Sequence, residues 1–153
     1  MEFKKNEETE ISLVKGLFNI GNIDLVYFGN NFISIRKSKH ISWEDITQNI
    51  IEYLKKKIDK NFLALNFEEE SNFTDEFSMR IEEVLSEKIR PAVAMDGGDI
   101  RLRSFKNGVA EVILKGACAG CPSSTVTLKH GVERMLRHYV PEVSSVEAFD
   151  INE

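Results

Sequence analysis

The chain has few of the features that would assign it to several common classes of protein. Only two of its 153 residues are cysteines, which argues against a disulfide-stabilised secreted domain. No apolar run approaches the roughly 20 residues that a membrane-spanning helix needs, so we expect no membrane partner. The opening residues, MEFKKNEETE, resemble neither a secretory signal nor an intact transit peptide. We therefore expect the bacterial cytoplasm, or the mitochondrial matrix if this is a processed form.

The chain also lacks an excess of charge of one sign. Lysine and arginine total 20, aspartate and glutamate total 25, and the formal net charge is −5. Residues 1–70 carry 10 basic and 12 acidic side chains, and residues 71–153 carry 10 and 13. Neither half has the basic surface that binds a phosphate backbone, so we expect no nucleic-acid partner.

The sequence does contain the pattern of two small modules that mix helices and strands. In the first, residues 12–18 are predicted to form a short helix, and residues 23–28 and 32–37 to form a hairpin. Ser42, with an acid three residues later, is a suitable N-cap. Apolar residues at helical spacing then predict a helix over residues 43–58.

An acidic stretch marks the predicted boundary between the modules. Three consecutive glutamates and a following Ser-Asn pair break the apolar periodicity near the middle of the chain. We predict a first domain over residues 1–66, an acidic linker over residues 67–74 and a second domain over residues 75–153. Trp43 and the apolar residues just before the glutamates are expected to pack into the first domain.

The second module has the order helix, strand, strand, helix, strand. The sequence pattern predicts these elements over residues 74–89, 99–105, 109–115, 122–139 and 143–149. Pro91 should end or kink the first helix. Asp96-Gly97-Gly98-Asp99 is more simply explained as a turn than as a metal site. This order predicts helices packed on a small sheet, so the fold class is α+β.

The hairpin of the second module raises a question of register. Asn-Gly at residues 107–108 suggests a two-residue turn, but that turn would pair Leu102 with Ile113 and divide the apolar residues between two faces. Pairing Leu102 with Val112 keeps them on one face. We therefore predict this second register, with a three-residue loop and a left-handed conformation at Gly108.

Two further predictions concern side chains of the second module. Arg101 and Arg103 alternate with the apolar residues and are expected to face solvent or a partner. The helix over residues 122–139 is expected to bury one apolar face: Leu128, Val132, Met135, Leu136 and Tyr139.

Both cysteines lie in one stretch, GACAGCPSS, at residues 116–124. The predicted elements place Cys118 and Cys121 between a strand and a helix whose first residue is Pro122. The N-terminus of a helix favours thiolate over thiol, and thiolate is the form that ligates metals. The neighbouring glycines and alanines leave room for a bulky group. We therefore expect an exposed loop with reactive or metal-binding thiols.

Several roles fit this Cys-x-x-Cys frame. Two buried, inert cysteines would leave the spacing and the glycines without a purpose. A dithiol–disulfide oxidoreductase would use both thiols, although its motif usually accompanies a βαβ unit. Structural zinc needs four ligands, and His130 lies nine residues beyond Cys121, about 13 Å along the helix. An iron–sulfur cluster also needs four thiolates, which two copies of the chain would supply across a two-fold axis.

The cysteine loop and the segments on both sides of it resemble a known family. IRPAVAMDGGDIRLRS and VAEVILKGACAGCPSSTVTLKHGVERML closely resemble the C-terminal module of NifU, the Nfu-type iron–sulfur scaffold family, over roughly residues 75–149. The first module is similar to the N-terminal domain of mitochondrial and alphaproteobacterial Nfu proteins through SLVKGLF and VYFGNNFISIRK. It departs from that pattern at Leu13-Val14, where the family commonly has proline and alanine.

The resemblance implies an iron–sulfur cluster scaffold or carrier that is not an enzyme and has no catalytic residues. Cys118 and Cys121 would be the iron ligands, binding a 4Fe–4S or, alternatively, a 2Fe–2S cluster between the two chains of a homodimer. The implied partners are iron–sulfur apoproteins as recipients and upstream cluster-assembly proteins as donors, and the N-terminal module would help to select them. The alternative function is a dithiol–disulfide oxidoreductase that uses the same two cysteines.

Overall fold

The computed structural model describes residues 1–58, 73–119 and 122–149, and for residues 122–125 it describes the backbone alone. The chain divides into two compact units, Met1–Glu69 and Glu70–Glu153. Most of the predicted linker, and the apolar residues just before it, lie outside the described residues. Both units combine helices with a three-stranded sheet, which confirms the predicted α+β class. None of the helices in the described ranges is long and apolar enough to cross a bilayer.

The first unit packs two helices against an antiparallel sheet. Its elements are β1 (Glu2–Lys4), α1 (Ser12–Ile20), β2 (Ile23–Phe28), β3 (Ile33–Lys37) and α2 (Trp43–Lys57). β2 lies between β1 and β3, and β1 was not predicted because three residues are too few to show a periodicity. Both helices and the sheet contribute to one core: Leu13, Val14, Leu17, Ile23, Val26, Phe28, Ile46 and Ile50.

The start of α2 confirms the predicted N-cap. The Ser42 side chain accepts a hydrogen bond from the Glu44 N–H (3.3 Å), and the Asp45 carboxylate accepts one from the Ser42 N–H (3.3 Å). These two bonds satisfy backbone donors that the helix itself leaves unpaired. Trp43, predicted to be a core residue, is instead exposed. It lies at the first position of α2, one turn before the buried Ile46, and so falls beyond the edge of the core.

The second unit has the predicted order of elements. They are α3 (Glu76–Val84), a π-helical turn (Leu85–Ile89), α4 (Arg90–Met95), β4 (Gly98–Lys106), β5 (Val109–Gly116), α5 (Pro122–Tyr139) and β6 (Ser145–Phe149). β5 is the central strand, antiparallel to β4 and parallel to β6. The largest fully buried residues of this unit are Ile81, Leu85, Ile100, Val112 and Leu136.

The first helix of this unit was predicted to end at Ile89, and this prediction is wrong. The chain stays helical to Met95 through the π-helical turn, in which the Arg90 N–H donates to the Leu85 carbonyl. Pro91 then falls in the first turn of α4, where a missing N–H is tolerated. The additional turn carries Val93 into the core beside the cysteine loop.

The β4–β5 hairpin has the predicted register but reaches it in a different way. Leu102 pairs with Val112, as predicted. The loop has only two residues, Asn107 (φ 51°) and Gly108 (φ 79°), and two positive φ angles are the requirement of a type I′ turn. A bulge at Arg103 supplies the additional residue. The predicted three-residue loop is therefore wrong, although the left-handed conformation of Gly108 is confirmed.

Candidate functional site

The cysteine loop joins the end of β5 to the start of α5, as the sequence predicts. β5 ends at Gly116, whose φ of 64° favours glycine. The Ala117 N–H donates to the Gly97 carbonyl (3.1 Å), and the Ala119 N–H donates to the Gly116 carbonyl (3.2 Å). The first of these bonds connects the cysteine loop to the turn between α4 and β4. The loop is therefore held by a segment some twenty residues earlier in the sequence.

Cys118 is buried, which contradicts the prediction of an exposed thiol. Its exposed fraction is 9%, and it belongs to the same core cluster as Val93 and Val132. The thiol can turn inward because residue 98 is a glycine and has no side chain there: a Cβ built at Gly98 would lie 2.3 Å from the Cys118 Sγ. Cys121, the second predicted ligand, lies outside the described residues, so its role stays a prediction.

Gly98 lies at the site, although its sequence context predicts only a turn. The turn consists of Asp96 and Gly97, and Gly97 alone has a positive φ (76°). Gly98 already belongs to β4, where no unusual backbone angle requires glycine. The sequence does contain a signal for this role, since a second glycine at the start of a strand suggests a close approach by another part of the chain.

Cys118 also lines an open groove of about 420 Å³ between α4 and α5. Apolar side chains from both helices form most of its wall, among them Val93 and Leu128. Met135, predicted to be a core residue, lines this groove and is 38% exposed. Tyr139 is likewise exposed rather than buried. The apolar stripe of α5 is thus wider than the surface that the sheet covers.

A network of charged side chains surrounds the start of β4. The buried Asp99 carboxylate lies 3.3 Å from the Arg90 Nε and 3.1 Å from the Arg101 Nε. Arg90 also pairs with Glu82 and donates to a backbone carbonyl of β4 (2.8 Å). Asp99 is therefore an ion-pair partner. Arg101 is not solvated, as one of its two predicted settings had it, because this pair holds it against Asp99 with only 14% of its side chain exposed. Arg103 is exposed, as predicted.

The described residues offer no complete metal site. Within the ranges that the structure covers, no three His, Cys, Asp or Glu side chains lie close enough together to bind a metal ion. His40, His130 and His138 are all exposed. A four-ligand centre at Cys118 would therefore need ligands from outside these ranges, either Cys121 or a second chain.

Two family models match the chain, one in each compact unit. The model described as "Scaffold protein Nfu/NifU N terminal" matches residues 1–61. The model described as "NifU-like domain" matches residues 81–147 and so includes the cysteine loop. Together these two matches cover most of the chain.

Curated relatives also match over most of the chain. The protein named "NFU1 iron-sulfur cluster scaffold homolog, mitochondrial" of Drosophila persimilis is 39% identical over 141 residues, which covers 88% of this chain and 50% of the relative. "NifU-like protein 4, mitochondrial" of Arabidopsis thaliana is 37% identical over 145 residues, with 88% and 51% covered. The chain thus spans about half the length of these relatives. The chain belongs to the Nfu/NifU family, as the resemblance of its sequence predicted.

Proposed function

We propose that the protein is an iron–sulfur cluster scaffold or carrier that receives a labile cluster and transfers it to apoproteins. The position of Cys118 is the observation that carries this proposal. It lies in a loop bounded by small residues, inside the region that matches the NifU-like domain, and it lines an open groove. The names of the relatives describe iron–sulfur cluster scaffolds and support the same role. We propose no catalytic residue and no enzymatic activity.

The number of ligands implies a site shared by two chains. A 4Fe–4S or a 2Fe–2S cluster bound by cysteines needs four thiolates, and the whole sequence contains two cysteines. We therefore propose a homodimer in which Cys118 and Cys121 of both chains bind one cluster, with 4Fe–4S as the first choice. A two-fold axis through the cluster completes the ligand set.

The burial of Cys118 suggests how such a cluster stays labile. In the structure its thiol packs against Gly98 and the core, whereas a shared ligand must point toward a second chain. Loading would then require the thiol to turn outward. A cluster that selects the outward conformation is bound more weakly than one held by preorganised ligands, because the inward conformation competes with it. Weak binding suits a cargo that is passed on.

The partners and the compartment follow from the same role. We propose iron–sulfur apoproteins as recipients, upstream assembly proteins as donors and the N-terminal unit as the module that selects partners. The proposed domains are residues 1–66 and 75–153, joined by a linker at 67–74, and the division between Glu69 and Glu70 supports them. The relatives are named as mitochondrial proteins, which supports the mitochondrial matrix as the compartment.

A transfer assay distinguishes this function from that of a dithiol oxidoreductase. Cluster-loaded protein should activate an iron–sulfur apoenzyme, and a strong iron chelator should slow the activation little, because the cluster passes directly between proteins. The double variant Cys118→Ser/Cys121→Ser should not activate it. The competing function predicts the reverse, namely robust disulfide reductase activity by the metal-free protein and no cluster transfer.

A further inference from the structure

The groove beside Cys118 lies where the proposed cluster needs a second chain. Cys118 lines it together with Val93 of α4 and Leu128 of α5. The whole sequence contains two cysteines, whereas an iron–sulfur cluster bound by cysteines needs four thiolates. With Cys118 as one ligand, the thiols of the second chain must reach the same cluster. The two chains then meet at this groove or directly beside it.

The apolar surface around the groove is suited to such a contact. Apolar side chains form most of the groove wall, yet the groove is open to solvent. Met135 on this wall is 38% exposed, and Met95, the last residue of α4, is 89% exposed. Methionine is unbranched and polarizable, so it packs against apolar groups of many shapes. A second chain that covers these side chains removes their apolar area from water, which stabilises the contact.

The charged residues of the groove are complementary to each other. Among the described residues that line it, Lys88 and Asp96 carry charge, and both are exposed. Lys88 lies four residues before Ala92 and Asp96 four residues after it, so about 12 Å along the helix axis separates them. A surface with a cation at one end and an anion at the other is able to pair with a copy of itself.

A two-fold axis beside Ala92 brings the complementary ends together. It sets the α4 helices of the two chains antiparallel, so that Lys88 of one chain faces Asp96 of the partner subunit, and the reverse. Met95 then lies opposite Ile89 of the partner subunit, because both are three residues from Ala92, and Ile89 lines the groove. Ala92 is exposed and small, so the two helices can approach closely at the axis.

We propose that the groove between α4 and α5 is the surface through which two copies of this chain meet around the shared cluster. Lys88 and Asp96 pair across the two-fold axis, and Met95 of each chain packs into the groove of the other. The proposal rests on the proposed carrier function, and it adds the protein surface that brings the four thiolates together. The two charge pairs fix the register of the helices, because a shifted contact would separate each pair.

The small size of this contact suits a dimer that forms on loading. Specific, stable interfaces bury more than about 1,000 Å² in total. The groove is formed by one side of two helices, and α4 is only six residues long. The cluster and the groove then act as two linked contacts, each of which raises the effective concentration of the other. When the cargo leaves, the weaker contact alone remains and the chains separate.

The first experiment uses the metal-free full-length protein with Cys118→Ser and Cys121→Ser, so it does not depend on cluster chemistry. Ala92→Cys places one thiol beside the proposed axis, and copper phenanthroline oxidises two such thiols that meet to a disulfide. We expect the disulfide-linked dimer to form about tenfold faster than it does with Lys106→Cys. Lys106 is the control because it is exposed at the end of β4, away from the groove. Equal rates for the two proteins would overturn the proposal.

The second experiment tests the apolar contact in the cluster-loaded protein. Met95→Lys should raise the protein concentration at which half of the loaded dimer dissociates by about tenfold or more, measured by anaerobic analytical ultracentrifugation. Met79→Lys on α3 is the matched control, because Met79 is also exposed (56%), and it should change this concentration by no more than about twofold. The groove proposal fails if the two variants dissociate at the same concentration.

The third experiment tests the pairing of charges across the axis. Lys88→Glu and Asp96→Lys each place like charges opposite each other in their own dimers, whereas a mixed dimer of the two variants restores both pairs. After joint reconstitution of equal amounts, one of them isotope-labelled, native mass spectrometry should find more mixed dimers than the half that random pairing gives. Lys106→Glu mixed with Asp96→Lys is the control, because it combines the same net charges without the complementary contact. Random pairing in both mixtures would contradict the proposal.

These measurements distinguish the groove proposal from the carrier function. If wild type binds no cluster while Ala92→Cys still forms the disulfide-linked dimer rapidly, the carrier function fails and the contact between grooves is supported. If wild type forms a cluster-bridged dimer that Met95→Lys leaves as stable as before, the shared cluster is supported and the groove proposal fails.

Discussion

Gly98 lies directly against the thiol of Cys118: a Cβ built on Gly98 would be 2.3 Å from the Cys118 Sγ and 3.0 Å from the Cys118 Cβ. The contact joins the start of β4 to the loop that follows β5. Real side chains do not approach so closely, so any residue other than glycine at position 98 must displace the thiol. Gly98 thereby determines which way the thiol of Cys118, the proposed cluster ligand, points.

Gly98→Ala should turn the Cys118 thiol toward solvent. In a Cys121→Ser background, which leaves Cys118 as the one thiol, we expect alkylation by iodoacetamide to be faster by about tenfold, and the free energy of unfolding to fall by about 1–3 kcal/mol. Unfolding also exposes the thiol. The measured alkylation rate must therefore exceed the rate that unfolding alone would allow, which is calculated from the measured free energy of unfolding. Gly131→Ala in the same background is the control for a glycine-to-alanine change, because no described heavy atom lies within 4 Å of a Cβ built on Gly131. Equal alkylation rates in Gly98→Ala and its parent would show that Gly98 does not orient Cys118.

Glu82 should be important for the stability of the second unit. Its carboxylate accepts the Leu102 N–H of β4 (3.0 Å) and pairs with Arg90, and the two side chains are only 13% and 23% exposed. Glu82→Ala leaves a largely buried guanidinium without this partner, although Arg90 retains Asp99. We expect a loss of about 3 kcal/mol in the free energy of unfolding, measured by urea denaturation.

The control for this prediction is Glu142→Ala. Glu142 pairs with Arg80 at 4.0 Å, and each side chain of that pair is 42% exposed. Such a pair contributes less than about 1 kcal/mol. If the two substitutions cost the same, the network around Arg90 is not the stabilising element that the geometry indicates.

Asp75 should make stability dependent on acid pH. Its carboxylate caps α3 and accepts the Ser78 N–H at 2.8 Å, and this hydrogen bond lowers the pKa of Asp75 below its ordinary value of 3.8. The folded state thus favours the charged form. The contribution is complete above the unfolded pKa and is lost as the pH falls through the lower, folded pKa.

Asp75→Asn retains an oxygen acceptor but cannot titrate. The difference in urea midpoint between wild type and Asp75→Asn should therefore shrink as the pH falls from about 5 to below about 3. Urea titrations of both proteins across this range measure it. A difference that stays constant with pH would show that the cap does not depend on the charge of Asp75.

The second unit should fold without the first. It has its own sheet and its own core, and the chain divides between Glu69 and Glu70. We expect a fragment of residues 71–153 to show a cooperative thermal transition by circular dichroism and to bind a cluster on anaerobic reconstitution. An unfolded fragment, or one that stays colourless while the full chain is reconstituted, would contradict the proposed domains.

Periodicity explains which parts of the fold were predictable. The positions of α1, α2 and α5 follow from apolar residues at helical spacing, and the pairing of Leu102 with Val112 follows from alternation along two strands. The bulge at Arg103 leaves the same apolar pattern as a longer loop does, so the pattern alone could not distinguish them. Met135 and Tyr139 fit an apolar stripe, but periodicity does not reveal whether a neighbouring element covers a residue.

The site was predictable where it depends on neighbours in the sequence. The position of Cys118 between a strand and a helix follows from the order of elements around it. Its burial could not be predicted, because that depends on Gly98, which is distant in the sequence and adjacent only after folding. The pairing of Asp99 with Arg90 depends on the π-helical turn that carries Arg90 past the predicted end of its helix.

The most direct test of the central claim is the stoichiometry of the reconstituted protein. After anaerobic reconstitution, native mass spectrometry with iron and sulfide analysis should find one 4Fe–4S cluster per two chains, on a protein that is mainly monomeric before loading. Cys118→Ala and Cys121→Ala should each abolish the cluster while the far-UV circular dichroism stays native. A brown monomer with a complete cluster in each chain, or a Cys118→Ala protein that retains its cluster, would contradict the shared site.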